Sequence, residues 1–176
     1  MRLFIGLDLP QEIKQNLLTF QSELKRLGVD GYWKAKDNFH LTLEFLGELN
    51  ARAVSEISPV LFQAAANCQP FTLRLESLGG FPSLKRPHTL WTAVKGNQEE
   101  LLSLRGAVHI GLKEKGFKLE DRPFKPHMTL ASRPQINGID LSETLNIQLG
   151  EFSVEEVILF ESSVIRGIRT YTGLVR

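Results

Sequence analysis

The tetrapeptide His40-Leu41-Thr42-Leu43 recurs as His127-Met128-Thr129-Leu130, once in each half of a 176-residue chain with four histidines. Both copies alternate polar and apolar residues, which predicts strands. Successive strand side chains point to opposite faces, so the His and Thr of each copy share one face, about 6.6 Å apart along the strand. Leu41, Leu43, Met128 and Leu130 then face the core. Two such strands opposite each other place two imidazoles and two hydroxyls around one small anion. Imidazole titrates near about pH 6.5, so one ring serves as a neutral base while its partner serves as a protonated acid. The hydroxyls donate to non-bridging phosphate oxygens, and an imidazolium adds a charge-assisted contact. These groups suit a phosphodiester displacement by general acid-base catalysis, with each proton transfer worth roughly 10² to 10⁴ in rate. One copy of this pattern is within the reach of chance; the repetition on equivalent strand faces carries the reading.

Around these motifs the chain reads as alternating strands and helices, then mainly strands. Leu3 to Leu9 is predicted as a strand ended by Pro10, and Gln11 to Leu27 as a helix stopped by Gly28. His40 to Leu46 is the first motif strand, and Asn50 to Asn67 a helix interrupted or kinked near Pro59. Phe71 to Leu78 and Thr89 to Val94 read as strands separated by a loop that begins at Gly79-Gly80-Phe81-Pro82-Ser83. Gln98 to Lys115 is the third helix. Strands follow near His127 to Ala131, Thr144 to Leu149, Val154 to Glu161 and Thr170 to Val175. This order implies an α+β fold with largely antiparallel sheets and helices on their outer faces.

Composition narrows the partners. Lys and Arg number 21 against 20 Asp and Glu, a formal net charge of +1. A protein that grips long duplex nucleic acid usually carries a strong basic excess, whereas a pocket for one nucleotide or one RNA end needs only a few cations. Cys68 is alone, which excludes a disulfide framework and a Cys-based metal cluster. Apolar runs are strand-length, far from the roughly 20 residues that span a bilayer, and no signal-peptide pattern precedes the first strand. A cytoplasmic protein without membrane contact is expected. A catalytic zinc ion usually takes three protein ligands. The repeat supplies two His and no carboxylate on the His face of the second motif, so neither metal nor other cofactor is expected.

Other candidates carry weaker signals. Trp33, Phe39 and Phe81 are possible platforms for a base, although aromatic residues in a small domain are more often core. Phe45 shares strand parity with Leu41 and Leu43, which places it on the core side. Lys34, Lys36, Arg122 and Lys125 flank the motifs and read as rim or solvated charge. His109 reads as a surface or helix-packing residue and His88 as a loop residue.

The extended motifs resemble those of the two-histidine (2H) phosphoesterases, specifically the RNA 2′,3′-cyclic phosphodiesterases also called 2′-5′ RNA ligases. The resemblance rests on Arg2-Leu3-Phe4-Ile5, Trp33, Asn38 through Gly47, Gly80-Phe81-Pro82, Leu90-Trp91, Phe124 through Ala131, and Tyr171. It runs over about the whole chain and implies a single domain, residues 1–176, of two pseudo-symmetric, intertwined lobes with antiparallel sheets and an active cleft between them. It also implies metal-independent opening of RNA 2′,3′-cyclic phosphate ends to 2′-phosphomonoesters, with weak reverse 2′-5′ ligation, by a monomer. By the same analogy His40 is the proton donor and His127 the proton acceptor, a distinction the residues alone do not make. Thr42 and Thr129 would hold the phosphate. Relatives often carry Arg five residues after the second His; here that position is Ser132 and Arg133 follows. Arg133 shares odd parity with His127 and Thr129, so it is expected to bind substrate in place of the usual cation. Two other readings stay open: a phosphodiesterase for a small cyclic nucleotide, and a non-catalytic module for nucleotides or RNA ends.

Overall fold

Apolar Ile13, Leu17, Phe20 and Leu24 recur at helical spacing along one face of Gln11–Arg26 and are all buried. Gly28 then adopts a φ of +101°, which L side chains resist, and ends the helix. Gly28 N–H donates to the Lys25 carbonyl and Val29 N–H to the Leu24 carbonyl, so the terminal carbonyls stay bonded. Gly116 ends Gln98–Glu114 in the same way, with Phe117 N–H donating to the Leu112 carbonyl.

The structure, a computed structural model, describes residues 1–176. Its elements are β1 (Arg2–Asp8), α1 (Gln11–Arg26), β2 (Asp30–Trp33), β3 (His40–Glu48), α2 (Arg52–Ala66), β4 (Phe71–Phe81), β5 (Thr89–Gly96), α3 (Gln98–Glu114), β6 (His127–Gln135), β7 (Gln148–Val154), β8 (Ile158–Ile165) and β9 (Ile168–Val175). Short 3₁₀ turns occupy Lys36–Asn38 and Ser142–Thr144. The strands form a four-stranded sheet, β3-β1-β8-β9, and a five-stranded sheet, β2-β6-β5-β4-β7. Every pairing is antiparallel. The α+β class and the two antiparallel sheets are those read from the sequence. Helix α1 follows a strand of the smaller sheet yet packs against β7 of the larger one. Helix α3 crosses the other way, from β5 of the larger sheet onto β3 of the smaller, and there it packs against α2, which follows β3 and stays on the smaller sheet. One cluster of 37 buried residues draws on both sheets and all three helices. No helix is long and apolar enough to cross a membrane.

Four local expectations change. The glycine loop starts later, because Gly79 and Gly80 extend β4, where Gly79 pairs with Trp91. The Trp91 indole lies over Gly79 so closely that a Cβ there would overlap it. The strand expected over Thr144 to Leu149 begins only at Gln148, after the 3₁₀ turn. The run expected from Val154 to Glu161 is cut at 155–157, where the chain leaves β7 of one sheet for β8 of the other. Helix α2 continues through Pro59, which lacks the N–H for one helical bond.

Gln21 joins α1 to the second motif. It is 2% exposed, and its Nε2 donates to the carbonyls of Lys34 and Leu130, each at 2.9 Å. Gln21→Leu would leave this side of both carbonyls unserved in an apolar setting. Its predicted cost is about 1–3 kcal/mol, read as a lower urea midpoint at unchanged slope; a midpoint equal to the parent's would contradict this role.

Candidate active site

Each motif strand opens with its histidine, and each ring turns back toward its own chain. His40 Nδ1 lies 2.8 Å from the Asn38 carbonyl oxygen, and His127 Nδ1 lies 2.6 Å from that of Lys125. A carbonyl only accepts, so Nδ1 carries the proton in both rings, and in the neutral form each Nε2 is left with a lone pair. His40 Nε2 lies 2.9 Å from Thr42 Oγ1, which donates to it in this state. Strands β3 and β6 approach each other from their separate sheets. His40, Thr42, His127 and Thr129 line one cleft of about 330 Å³. The four residues expected to act together are therefore brought together.

The same irregularity follows each motif. Residues Leu43 and Glu44 are both buried, and the β1–β3 register shifts there; Leu130 and Ala131 are both buried, and the β5–β6 register shifts there. Each is a bulge, which puts two consecutive side chains on the core side and reverses the parity beyond it. This reversal corrects two expectations. Phe45 is not on the core side but 58% exposed and lining the cleft. Arg133 does not share the face of His127 and Thr129. It adopts a φ of +49°, sets its guanidinium over the Tyr32 ring, and does not line the cleft. Ser132, five residues past His127 as Phe45 is past His40, takes the cleft-side parity instead.

The extra inward residue of the first bulge is charged. Glu44 is 5% exposed and lies 2.7 Å from His109 Nδ1 and 3.1 Å from Arg105, both on α3. His109 is thus a helix-packing residue that ties α3 to β3 directly behind Thr42.

Aromatic rings wall both imidazoles. Phe4, Tyr171 and Phe160 surround His40, with ring centroids 4.5, 4.8 and 6.0 Å away. Phe81 stands edge-on to His127 at 4.8 Å, with Trp91 at 6.3 Å. Burial among these rings disfavours the imidazolium, and the Lys34 ammonium adds to the effect. Together they outweigh the bond to Asn38 and hold His40 down at about 4, below its ordinary 6.5. His127 is lowered for the same two causes, burial first, against the opposing bond to Lys125. Both rings are therefore neutral at pH 7 in the unliganded protein.

Three cations line this cleft: Arg2, Lys34 and Arg169. Lys34 Nζ sits 3.4 Å from the Tyr171 hydroxyl and above that ring. The other flanking cations stay outside: Lys36 reaches Gln15, Arg122 pairs with Glu120, and Lys125 contributes its carbonyl. Of the aromatic candidates only Phe81 packs its ring against a motif histidine. Phe39 is 1% exposed in the core, and Trp33 lies under Lys25. His88 contributes backbone bonds to Phe81 and Arg133.

Sequence reasoning missed Arg2, Ser162 and Arg169 as cleft residues. A signal for Arg2 was present: Leu3, Ile5 and Leu7 are the core positions of β1, so Arg2 and Phe4 belong to the other face. Nothing local marks Ser162 or Arg169, because only the sheet order sets β8 and β9 beside β1.

Two H-x-T strands from opposing antiparallel sheets, with imidazoles and hydroxyls turned into one cationic cleft, define a two-histidine phosphoesterase. Residues 7–91 and 93–168 match the family described as LigT like Phosphoesterase, and the chain belongs to that family. It is 31% identical over 179 residues to an RNA 2′,3′-cyclic phosphodiesterase of Escherichia coli, covering 99% of this chain and 94% of the relative. The relative from Methanocaldococcus jannaschii, of the same name, is 28% identical over 172 residues, covering 93% and 92%. Among solved structures, E. coli LigT complexed with 3′-AMP superposes with a TM-score of 0.79 at 29% identity, covering 98% of this chain and 94% of that one. TT0787 of Thermus thermophilus gives 0.80 at 27% identity, covering 99% and 95%.

The lowered His40 makes stability depend on pH. The unfolded chain takes a proton near pH 6.5 and the folded one only near 4. The stability carried by neutral His40 is therefore complete above pH 6.5 and lost as pH falls toward 4. The predicted loss is about 3 kcal/mol, read as the difference between the parent and His40→Gln in urea unfolding at pH 7 and pH 4. Equal losses in the two proteins would show that His40 is not held neutral.

Proposed function

We propose that this chain, acting as one catalytic unit over residues 1–176, hydrolyses 2′,3′-cyclic phosphate ends of RNA to 2′-phosphomonoesters. The observation that carries the reading is the pair of H-x-T motifs whose imidazole Nε2 atoms serve one cationic cleft. Pure binding does not call for two proton-transfer groups. The cleft volume of about 330 Å³ suits the terminal nucleotide of a strand.

In this reading the cyclic phosphate lies between the two strands. His127 Nε2, without a partner inside the protein, takes the proton of a water that attacks phosphorus. The P–O3′ bond breaks as His40 Nε2–H protonates the leaving O3′, and the 2′-phosphate remains. His40 must be protonated at Nε2 for this, against the burial and the Lys34 charge that keep it neutral. The bound phosphodiester anion supplies the compensating charge. Protonation also frees the Thr42 hydroxyl: it no longer donates to Nε2 and turns its proton to a non-bridging oxygen. Thr129 serves the same group from the opposite strand, so charge developing at phosphorus meets fixed donors. Ligation is the same displacement with an RNA 5′-hydroxyl in place of water: His127 takes its proton as it attacks phosphorus, the P–O3′ bond breaks with a proton from His40, and a 2′-5′ linkage remains. Both proton transfers are supplied by side chains, so this path needs no metal.

Incubation of an oligoribonucleotide bearing a 2′,3′-cyclic phosphate with the protein in EDTA is predicted to yield a 2′-phosphate end. His40→Ala and His127→Ala should each lower kcat by roughly 10² to 10⁴, and the double variant by much less than the product. Failure on RNA with turnover of a cyclic mononucleotide would assign a small-molecule phosphodiesterase. Tight binding with no turnover of either would assign a binding module.

The pH dependence offers a separate check. Since both histidines are lowered in the free protein, the kcat/KM bell should peak below pH 6.5, with the kcat bell displaced upward by the bound anion. Lys34→Met removes a charge that lowers both rings, so its kcat/KM maximum should move to higher pH. An unmoved maximum would exclude Lys34 from tuning the pair.

A further inference from the structure

The cleft is lopsided about the two motifs. On the side of the five-stranded sheet its lining comprises His127, Thr129 and Lys34, the residue just past β2. On the other side it continues over the four-stranded sheet, past Phe4 and Phe45, to Arg2, Ser162 and Arg169. These last three share a face. Ser162 on β8 lies opposite Arg2 on β1 and opposite Tyr171 on β9, two residues beyond Arg169. Arg169 Nη1 donates to Ser162 Oγ at 2.8 Å, which leaves the hydroxyl proton of Ser162 to serve another acceptor.

Neither guanidinium forms an ion pair within the protein. The carboxylate opposite Arg2 in the β1–β3 ladder, Glu48, lies 3.6 Å from the Met1 amino group. Glu161 lies opposite Leu3, on the core side of the sheet. Two planar donor forks and a hydroxyl thus converge on one surface without a protein anion, which is the donor set that phosphate recognition uses. The mechanism above uses none of them. Arg2 lies four residues up β1 from Gly6, the partner of Thr42, or about 13 Å along the strand before the Arg side chain reaches back. Phe45 is exposed between the two places, opposite Phe4, where a nucleoside would bridge them.

We propose that Arg2, Arg169 and Ser162 form a second anion subsite. It holds the phosphate on the 5′-oxygen of the nucleotide whose 2′,3′-cyclic phosphate lies between the histidines. The proposal rests on the function given above and sets the polarity of the substrate: the strand leaves the dyad across the four-stranded sheet, over Phe45. The 5′-phosphate has two sources with the same chemistry, the internucleotide linkage of RNA and the terminal phosphate of a mononucleotide.

The test compares kcat/KM for adenosine 2′,3′-cyclic phosphate, its 5′-phosphorylated form, and the dinucleotide ApA with a 2′,3′-cyclic end. Both extended substrates should exceed the bare one by about tenfold or more, the reach of one charge-assisted hydrogen bond. In Arg2→Ala/Arg169→Ala that ratio should fall toward one. Arg2→Ala alone, at the exposed start of β1, should reduce it partway and guards against a double variant that folds poorly. A gain confined to the dinucleotide assigns the subsite to RNA strands; equal gains assign it to the phosphate whatever its source. Equal kcat/KM for all three substrates in the parent, or an equal drop on all three in the variants, would overturn the proposal. Calorimetry with adenosine 2′-phosphate and adenosine 2′,5′-bisphosphate reads the same ratio without turnover. Tighter binding of the bisphosphate by the parent alone, with no hydrolysis of any substrate, would keep the subsite and remove the proposed reaction; no preference for the bisphosphate would remove the subsite.

Discussion

The proposed histidine chemistry depends on one backbone hydrogen bond made twice. Each histidine gives its Nδ1–H to the carbonyl two residues before it, Asn38 in one half and Lys125 in the other. That bond fixes the tautomer, so Nε2 is the atom whose protonation changes, and it fixes the ring plane against its own strand. Without it each imidazole would have two orientations and two proton positions, and a dyad needs one of each. The bond is local, formed within three residues at the start of a strand, and so requires little of the surrounding sequence. What the rest of the protein must do is hold two such strand starts face to face. Crossing α1 to the larger sheet and α3 to the smaller one does this by building a single core across both sheets.

The bulge after each motif is the second shared device. Both strands present His and Thr to the cleft, and β3 then hands the next cleft position to Phe45, which regular alternation would bury. Reversing parity after the motif achieves this, and the extra inward residue is held from behind in each case. Behind β3 the charged Glu44 is held by Arg105 and His109 of α3; behind β6 the Leu130 carbonyl is held by Gln21 of α1. A buried carboxylate or carbonyl left alone would be costly, so each bulge has a polar partner from the helix that covers it. The supports differ chemically while the geometry they protect is the same, as expected of two halves constrained by one reaction.

The placing of His40, Thr42, His127 and Thr129 around one cleft was legible in the sequence because H-x-T-L is a local pattern whose period of two converts directly into a shared face. The helices were legible too, since Ile13, Leu17, Phe20 and Leu24 give the helical period and Gly28 the stop. Phe45 and Arg133 were misplaced by the same reasoning, because a bulge leaves no mark in composition and a single extra residue inverts every later assignment. Arg2, Ser162 and Arg169 were missed for another reason. They become neighbours only through the order β1-β8-β9, a pairing between residues more than 150 positions apart. The break at 155–157 was missed for a related reason: Val154 and Val157 look like one strand until the chain has to change sheets.

The cations of the cleft impose a conflict that the geometry resolves only when substrate is bound. Lys34 favours an anion in the cleft, yet it also lowers both histidines and so opposes the imidazolium that the proposed reaction uses. Burial, with the cleft cations adding to it, keeps both rings neutral; in the proposed reaction a bound phosphodiester partly cancels the cations' field, and His40 regains proton affinity where a leaving oxygen needs it. The near-zero net charge of the chain supports this arrangement. A strongly basic surface would bind RNA along its length while adding long-range positive potential at the dyad. Of the three cations lining the cleft, only Lys34 stands beside the rings, while Arg2 and Arg169 lie farther out, so most of the cleft's positive charge is kept away from the histidines.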